Sequence, residues 1–210
     1  MKVMKEWSLM SKLLSSKYTL EEFLEFDVRG VTSVISHVLG TDLSHIPPHI
    51  LENAGERGTS IHESIEKYFR TGEIDFYFEY RPWQRGFEKF LESVETIEPL
   101  GLELYVVGDN CKGVIDFVGY VDGVLTMIDW KSSSNMSGET RLSAELQLLL
   151  YEELLAQEYD LDVHELEVVS IQKDKFTRIK VDDDGYERMY DIVMTMYDYK
   201  CKHVKHKRRK

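Results

Sequence analysis

The chain has 210 residues, 42% of them hydrophobic and 11% aromatic, and carries a formal net charge of -12. That length supports one large domain with its own core, while the lack of an 18-residue apolar run or of a signal-type apolar core near Lys2, Lys5 and Glu6 leads us to expect a cytoplasmic protein with no membrane partner. The two cysteines, Cys111 and Cys201, form no Cys-x-x-Cys pair, which argues against a disulfide framework or a zinc knuckle. Charge is unevenly spread: residues 200–210 hold seven Lys or Arg and no acid, leaving the other 199 residues with 19 basic against 38 acidic side chains. The expected organisation is one domain over residues 1–199 followed by a basic tail over 200–210.

In chain order, Thr19-x-x-Glu22 reads as a capping box before Phe23, Leu24 and Phe26 and predicts a short helix ending near Gly30. Val34, Ile35, Val38 and Leu39 form an apolar stripe. After Pro47-Pro48, residues 49–70 read as a helix interrupted at Gly58 and carry Arg57, His62 and Glu66. Glu66 lies on the face of His62 and can orient it, or pair with Arg70 at i+4. Thr71-Gly72 closes this helix, and Pro82 opens another through Phe87, Phe90 and Leu91. Trp83 and Phe87 fit a core better than base stacking. Residues 100–107 predict the first strand of a sheet, with Glu103 in its middle.

Two apolar, β-branched runs flank Asp122-Gly123, a dipeptide favoured in two-residue hairpin turns, so residues 113–131 predict two antiparallel strands. Asp116 lies in the first strand, and period-2 alternation puts Asp129 and Lys131 on one face of the second with Trp130 opposite. Two carboxylates and an ammonium beside an apolar sheet lose hydration unless a partner compensates them. A hard divalent cation would do so, and by lowering the pKa of a bound water it would supply a nucleophile at neutral pH. Asp198-Tyr199-Lys200 repeats the Asp-x-Lys spacing in a helical, basic stretch with no strand before it, which shows how common the tripeptide is by itself.

Ser132 to Gly138 forms a small polar loop suited to a phosphate backbone. The helix expected over residues 139–159 carries Gln147 and Tyr151 at i,i+4, among Leu142, Leu146, Leu149 and Leu150. A glutamine amid leucines either satisfies a core backbone group or faces a site. Glu165 to Ile171 and Phe176 to Val181 predict two more strands. Asp182-Asp183-Asp184-Gly185 lacks calcium-loop spacing and reads as a solvated turn. Met189, Ile192, Val193 and Met196 make the expected core stripe of a last helix. The tail, with Lys207, Arg208 and Arg209, holds more cations than one helix end uses and is expected to hold a polyanion.

Together these segments resemble the PD-(D/E)XK nuclease superfamily, in its RecB-type and phage exonuclease branch. Gly113-Val-Ile-Asp116 and Asp129-Trp130-Lys131-Ser132-Ser133 resemble its G-x-x-D and D-W-K-T/S lines. Arg57-Gly58-Thr59-Ser60-Ile61-His62 through Glu66 resembles its R-G-T-x-x-H-x-x-I-E motif, Val31 to Ile35 loosely resembles a helix-opening segment, and Gln147 with Tyr151 matches a Q-x-x-x-Y box. The resemblance covers roughly residues 31–181. It implies a restriction-endonuclease-like α/β core, a mixed central sheet flanked by helices, with extra N-terminal helices. It also implies a magnesium-dependent DNA nuclease, with manganese able to substitute, acting as an exonuclease on single strands or duplex ends in phage-type DNA processing, recombination or repair. A recombination or single-strand-binding protein is then a possible partner, and host cytoplasm the compartment of a phage-encoded form.

By the same resemblance His62, Asp116, Asp129 and the Trp130 carbonyl hold metal, and Glu103 either adds a water-mediated ligand or is an edge-strand glutamate. Lys131 acts with the metal on the attacking water, Gln147 positions Lys131, and Arg57, Ser132, Ser133 and Tyr151 contact substrate. The four-cysteine iron-sulfur cluster of some relatives is excluded by the cysteine count. The alternatives are a structure-selective endonuclease or resolvase, and a catalytically silent DNA-binding subunit.

Overall fold

The structure is a computed structural model and describes residues 13–134, 136–181 and 189–203. Helices α1 (Leu20–Glu25), α2 (Val31–Leu39), α3 (Pro48–Thr71), α4 (Arg81–Glu92), α5 (Gly138–Tyr159) and α6 (Met189–His203) pack around strands β1 (Arg29–Gly30), β2 (Ile97–Val107), β3 (Cys111–Val121), β4 (Val124–Lys131), β5 (Glu165–Gln172) and β6 (Lys175–Lys180). The strands form one mixed sheet in the order β1-β3-β4-β5-β6, with β2 also paired to β3. β3 is antiparallel to β2 and β4, and β4 runs parallel to β5 across the crossover made by α5. This is the restriction-endonuclease-like mixed sheet that the sequence leads us to expect. No helix among the described residues is long and apolar enough to cross a membrane.

The Thr19 box forms as expected: the Thr19 hydroxyl accepts from the Glu22 amide at 3.2 Å, and the Glu22 carboxylate accepts from the Thr19 amide at 2.8 Å. α1 nevertheless stops at Glu25, short of Gly30, because Arg29 and Gly30 pair in parallel with Cys111 and Lys112 as β1. Lys112 Nζ donates to the Phe23 and Phe26 carbonyls at the end of α1. α3 runs unbroken through Gly58, contrary to the expected interruption. An added Cβ there would lie 3.8 Å from Ser132 Oγ, an ordinary van der Waals contact, so the loop after β4 passes close beside the helix.

Two apolar cores lie on opposite faces of the sheet. One joins α2, α5 and α6 to Leu104, Val106, Ile115 and Met127. The other joins α3 and α4 to Leu102, Phe117, Ile128 and Trp130. Trp130 is 2% exposed, with Phe69, Phe87, Phe90 and Phe117 centred 5.3–6.3 Å from its ring. On α6 the buried residues are Val193 and Met194, with Tyr190 and Tyr197 packed beside them, while Ile192 and Met196 are 49% and 44% exposed. Of the expected Met189-Ile192-Val193-Met196 stripe, Val193 and Met189 pack as expected, while Met194, Tyr190 and Tyr197 take the core contact that Ile192 and Met196 lack. Leu142 of α5 is likewise exposed.

The outer edge of β2 is covered by the residues preceding α1. Leu14 donates its amide to the Leu100 carbonyl at 2.6 Å, and Ser16 Oγ accepts from the Tyr105 amide at 2.9 Å. Both cysteines are free, Cys111 buried and Cys201 exposed.

Helix α4 is pinned to the β5–β6 hairpin at Gly86, where an added Cβ would lie 2.3 Å from the Gln172 carbonyl oxygen and 2.5 Å from that of Lys175. Gly86→Ala therefore forces backbone apart, and a loss of about 1–3 kcal/mol in urea unfolding is expected. Gly55→Ala in exposed α3, where nothing lies within 4 Å of the new methyl, is expected to gain about 0.5–1 kcal/mol in the same measurement.

Candidate active site

The site begins where the hairpin stops being a ladder. The β3–β4 pairing runs from Val121↔Val124 to Phe117↔Ile128, and beyond it β4 continues paired to β5 up to Lys131↔Ser170. The two strands therefore splay apart at Asp116 and Asp129. The Trp130 amide, which a continued ladder would satisfy, instead donates to Asp116 Oδ2 at 2.9 Å. A side-chain carboxylate thus replaces a backbone acceptor, and its other oxygen is left to face α3.

Across from it, the partners Leu102↔Phe117 and Leu104↔Ile115 bracket Glu103 opposite Asp116. Leu102 and Phe117 belong to the α3 core but Leu104 and Ile115 to the α5 core, so the alternation of faces slips here in both strands. Glu103 takes φ 48°, the left-handed region, within this slip. Ligand atoms of His62, Glu103 and Asp116 all lie within 4.8 Å of one another, and His62 Nδ1 is 3.5 Å from Asp116 Oδ1. Directly opposed carboxylates repel. Burial first, then the charge of Asp116, pushes the Glu103 carboxyl up to about 7. Burial alone would lower the His62 imidazole, but Asp116 outweighs it and raises the group to about 9.

The second half of the site is a buried network on the α5 side. Lys131 Nζ donates to Asp129 Oδ1 at 2.9 Å and to Gln147 Oε1 at 3.1 Å, and Gln147 Nε2 donates to Asp129 Oδ1 at 2.9 Å. Asp129 Oδ2 lies 2.8 Å from Lys131 Nζ but outside hydrogen-bonding alignment, so this buried oxygen has no hydrogen-bond donor. Burial pushes Asp129 above the usual carboxylate range against the pull of Lys131. Burial pulls the Lys131 ammonium down, yet the Asp129 carboxylate outweighs it, so Nζ keeps its proton more firmly than a free lysine.

Gln147 Nε2 is 3.4 Å from the Tyr151 hydroxyl. Tyr151 is 5% exposed and lies under β3, where an added Cβ at Gly113 would come within 2.3 Å of its ring. The expected phosphate contact of Tyr151 is replaced by a place behind Gln147. The fit of Gly113 to that ring is a constraint the sequence did not disclose, although the glycine itself stands out in the G-x-x-D line.

The remaining expected residues fall around these two halves. Trp130 offers main chain only, its indole being buried. Glu66 pairs with Arg70 at 2.7 Å. Arg57 holds its guanidinium 5.7 Å from the Trp83 ring centroid, with Nε buried and without a hydrogen-bond partner. Ser132 Oγ borders Gly58 of α3, and the Ser133 carbonyl accepts from Ser170 Oγ. Lys207, Arg208 and Arg209, and the triplet Asp182-Asp183-Asp184, lie outside the described residues.

A divalent cation fits this donor set on the structure's own terms: His62, Glu103 and Asp116 bring three nitrogen or oxygen ligand atoms together, two of them from directly opposed carboxylates. In chelator, both shifted groups of the cluster bind protons more tightly folded than unfolded. The resulting stability is complete below the unfolded values, about 4.3 for Glu103 and about 6.5 for His62. It is lost as pH rises through about 7 and about 9 respectively. The metal-free protein is therefore expected to melt at lower temperature at pH 8 than at pH 5.5. Glu103→Gln is expected to narrow that difference in thermal unfolding, and an unchanged difference would show that Glu103 does not carry a raised pKa.

No curated protein matches the chain. One solved structure similar to it, described as "Crystal structure of SSO0001", is 14% identical over 87% of each chain with a TM-score of 0.38, too slight a likeness to carry an argument. The family model of the PD-(D/E)XK nuclease superfamily matches residues 79–207, which include both aspartates, Lys131, Gln147 and Tyr151. With more than half of its length under that match, the chain belongs to the PD-(D/E)XK nuclease superfamily.

Proposed function

We propose that the protein is a magnesium-dependent deoxyribonuclease that degrades linear DNA from an end, in the manner of the RecB-type and phage exonuclease branch. Membership in the superfamily points to a metal-dependent nuclease. The observation that carries the nuclease reading is the splayed hairpin, beside which His62, Glu103 and Asp116 gather on one side and Asp129, Lys131 and Gln147 on the other. Likeness of Arg57 to His62 and of Gln147 to Tyr151 to exonuclease motifs supports attack at ends.

In this reading His62, Glu103, Asp116, Asp129 and the main chain of Trp130 hold the cation. When bound it supplies Lewis-acid charge and lowers the pKa of a coordinated water. Lys131 keeps its proton and would set its ammonium against the oxygens of the scissile phosphate, offsetting charge that grows as the bond from water to phosphorus forms in line with the breaking bond to the leaving sugar oxygen, the water's proton passing to solvent. Gln147 fixes Lys131 and Asp129 together, and Tyr151, kept neutral by burial, braces Gln147 from behind. Arg57, Ser132 and Ser133 receive the flanking backbone, and the basic tail adds sequence-independent hold on DNA.

Purified protein is expected to consume linear and single-stranded DNA with magnesium or manganese, to spare covalently closed circles and to stop in chelator. Lys131→Ala is expected to lower kcat by about 100- to 1,000-fold with an unchanged circular dichroism spectrum, and Asp129→Ala to lower it at least as far. Cleavage of closed circles at the rate of linear DNA would replace the exonuclease with a structure-selective endonuclease. Full activity of Asp129→Ala would remove the nuclease site from this place.

A further inference from the structure

Beside the site, the turn before α4 exposes aromatic surface that no catalytic role uses. Phe78 is 82% exposed and Tyr77 64% exposed, on and just before a single 3-10 turn over Phe78–Tyr80. Tyr80 and Trp83 meet edge to face at 5.9 Å. Cations lie over these rings: Arg81 is 5.0 Å from the Phe78 centroid, and Lys173 and Arg57 are 4.9 and 5.7 Å from that of Trp83. Glu56 and Glu79 act on the Tyr80 hydroxyl instead, which also bonds Ser60. The Asp174 amide donates to the Pro82 carbonyl at 2.7 Å, and Arg85 pairs with Asp174, so the β5–β6 turn and α4 hold the ledge as one piece.

We propose that this ledge stacks unpaired bases, and that single-stranded DNA is therefore the form the active site accepts; the inference rests on the nuclease reading and narrows its substrate. Location supports it first. Gly58 of α3 borders Ser132 Oγ, one residue after Lys131, and its neighbour Arg57 lies 5.7 Å from the Trp83 ring centroid, so the ledge adjoins the end of β4. Charge supports it second, because three cations gather on rings in a body whose first 199 residues carry twice as many acids as bases. Flat rings with a cationic border match a strand whose bases are free and whose backbone is anionic. A paired duplex hides all but its terminal base faces and so offers an exposed phenyl ring far less to stack on.

The test is fluorescence anisotropy in chelator with a labelled oligothymidylate and a labelled blunt duplex. Phe78→Ala is expected to weaken oligothymidylate binding by about 5- to 100-fold while changing duplex binding by less than about twofold. Phe78→Trp is expected to keep it, and circular dichroism to match wild type, as befits so exposed a position. Unchanged oligothymidylate affinity in Phe78→Ala, equal loss on both DNAs, or no binding of oligothymidylate by wild type would each overturn the ledge. The nuclease reading fails by a separate result, the absence of magnesium-dependent cleavage of any DNA by the wild-type protein.

Discussion

The organisation of this protein depends on a hydrogen bond that a sheet would ordinarily make with itself. β4 parts from β3 after Ile128, and the Trp130 amide would be left buried and unpaired but for Asp116 Oδ2. An unmet amide costs roughly 1–3 kcal/mol, so the carboxylate is fixed to within a hydrogen bond's tolerance by the fold's own need. Its other oxygen is then delivered to His62 and Glu103. Trp130 secures the arrangement from the far face, because its indole fills the centre of the phenylalanine cluster and cannot shift without opening that core.

The cost of the site is spread over its supports. Asp129, Lys131 and Gln147 bond one another in a triangle, and removing one member takes a partner from each of the other two. Glu103 adds backbone in a region a glutamate rarely adopts, opposite a second carboxylate. Neither feature helps the fold stand. Both are intelligible where a cation is to be held, since pre-placed oxygens need not reorganise to receive it.

Much of this was legible in the chain. Asp122-Gly123 announced the hairpin, and the turn residues take φ 51° and 82° as its mirror-image geometry demands. Gln147 and Tyr151 stood out because a glutamine among leucines needs a partner, and it has two. The slip of faces at Glu103 was hidden, for Leu102 and Leu104 obey period-2 spacing while packing on opposite sides of the sheet. Gly58 misled in the other direction: propensity favours a break, but α3 runs through it intact, beside the Ser132 loop. On α6 the stripe held at Met189 and Val193 but not at Ile192 and Met196, because Met194 and the tyrosines Tyr190 and Tyr197, polar at one end only, pack in their place.

The segment around Leu14 and Ser16 gives the sheet another property. β2 is an outer strand, and a free outer strand offers its amides and carbonyls to any extended chain it meets. Here Leu14 and Ser16 already occupy Leu100 and Tyr105, flanking Glu103 on the side away from β3. At the opposite edge β6 presents Lys175 and Lys180 as exposed charges. Each margin is thus closed to edge-to-edge growth by a different device, chain on one side and charge on the other. Chains missing Leu14 and Ser16 would leave the Leu100 carbonyl and the Tyr105 amide of that edge without these partners, beside the acidic cluster.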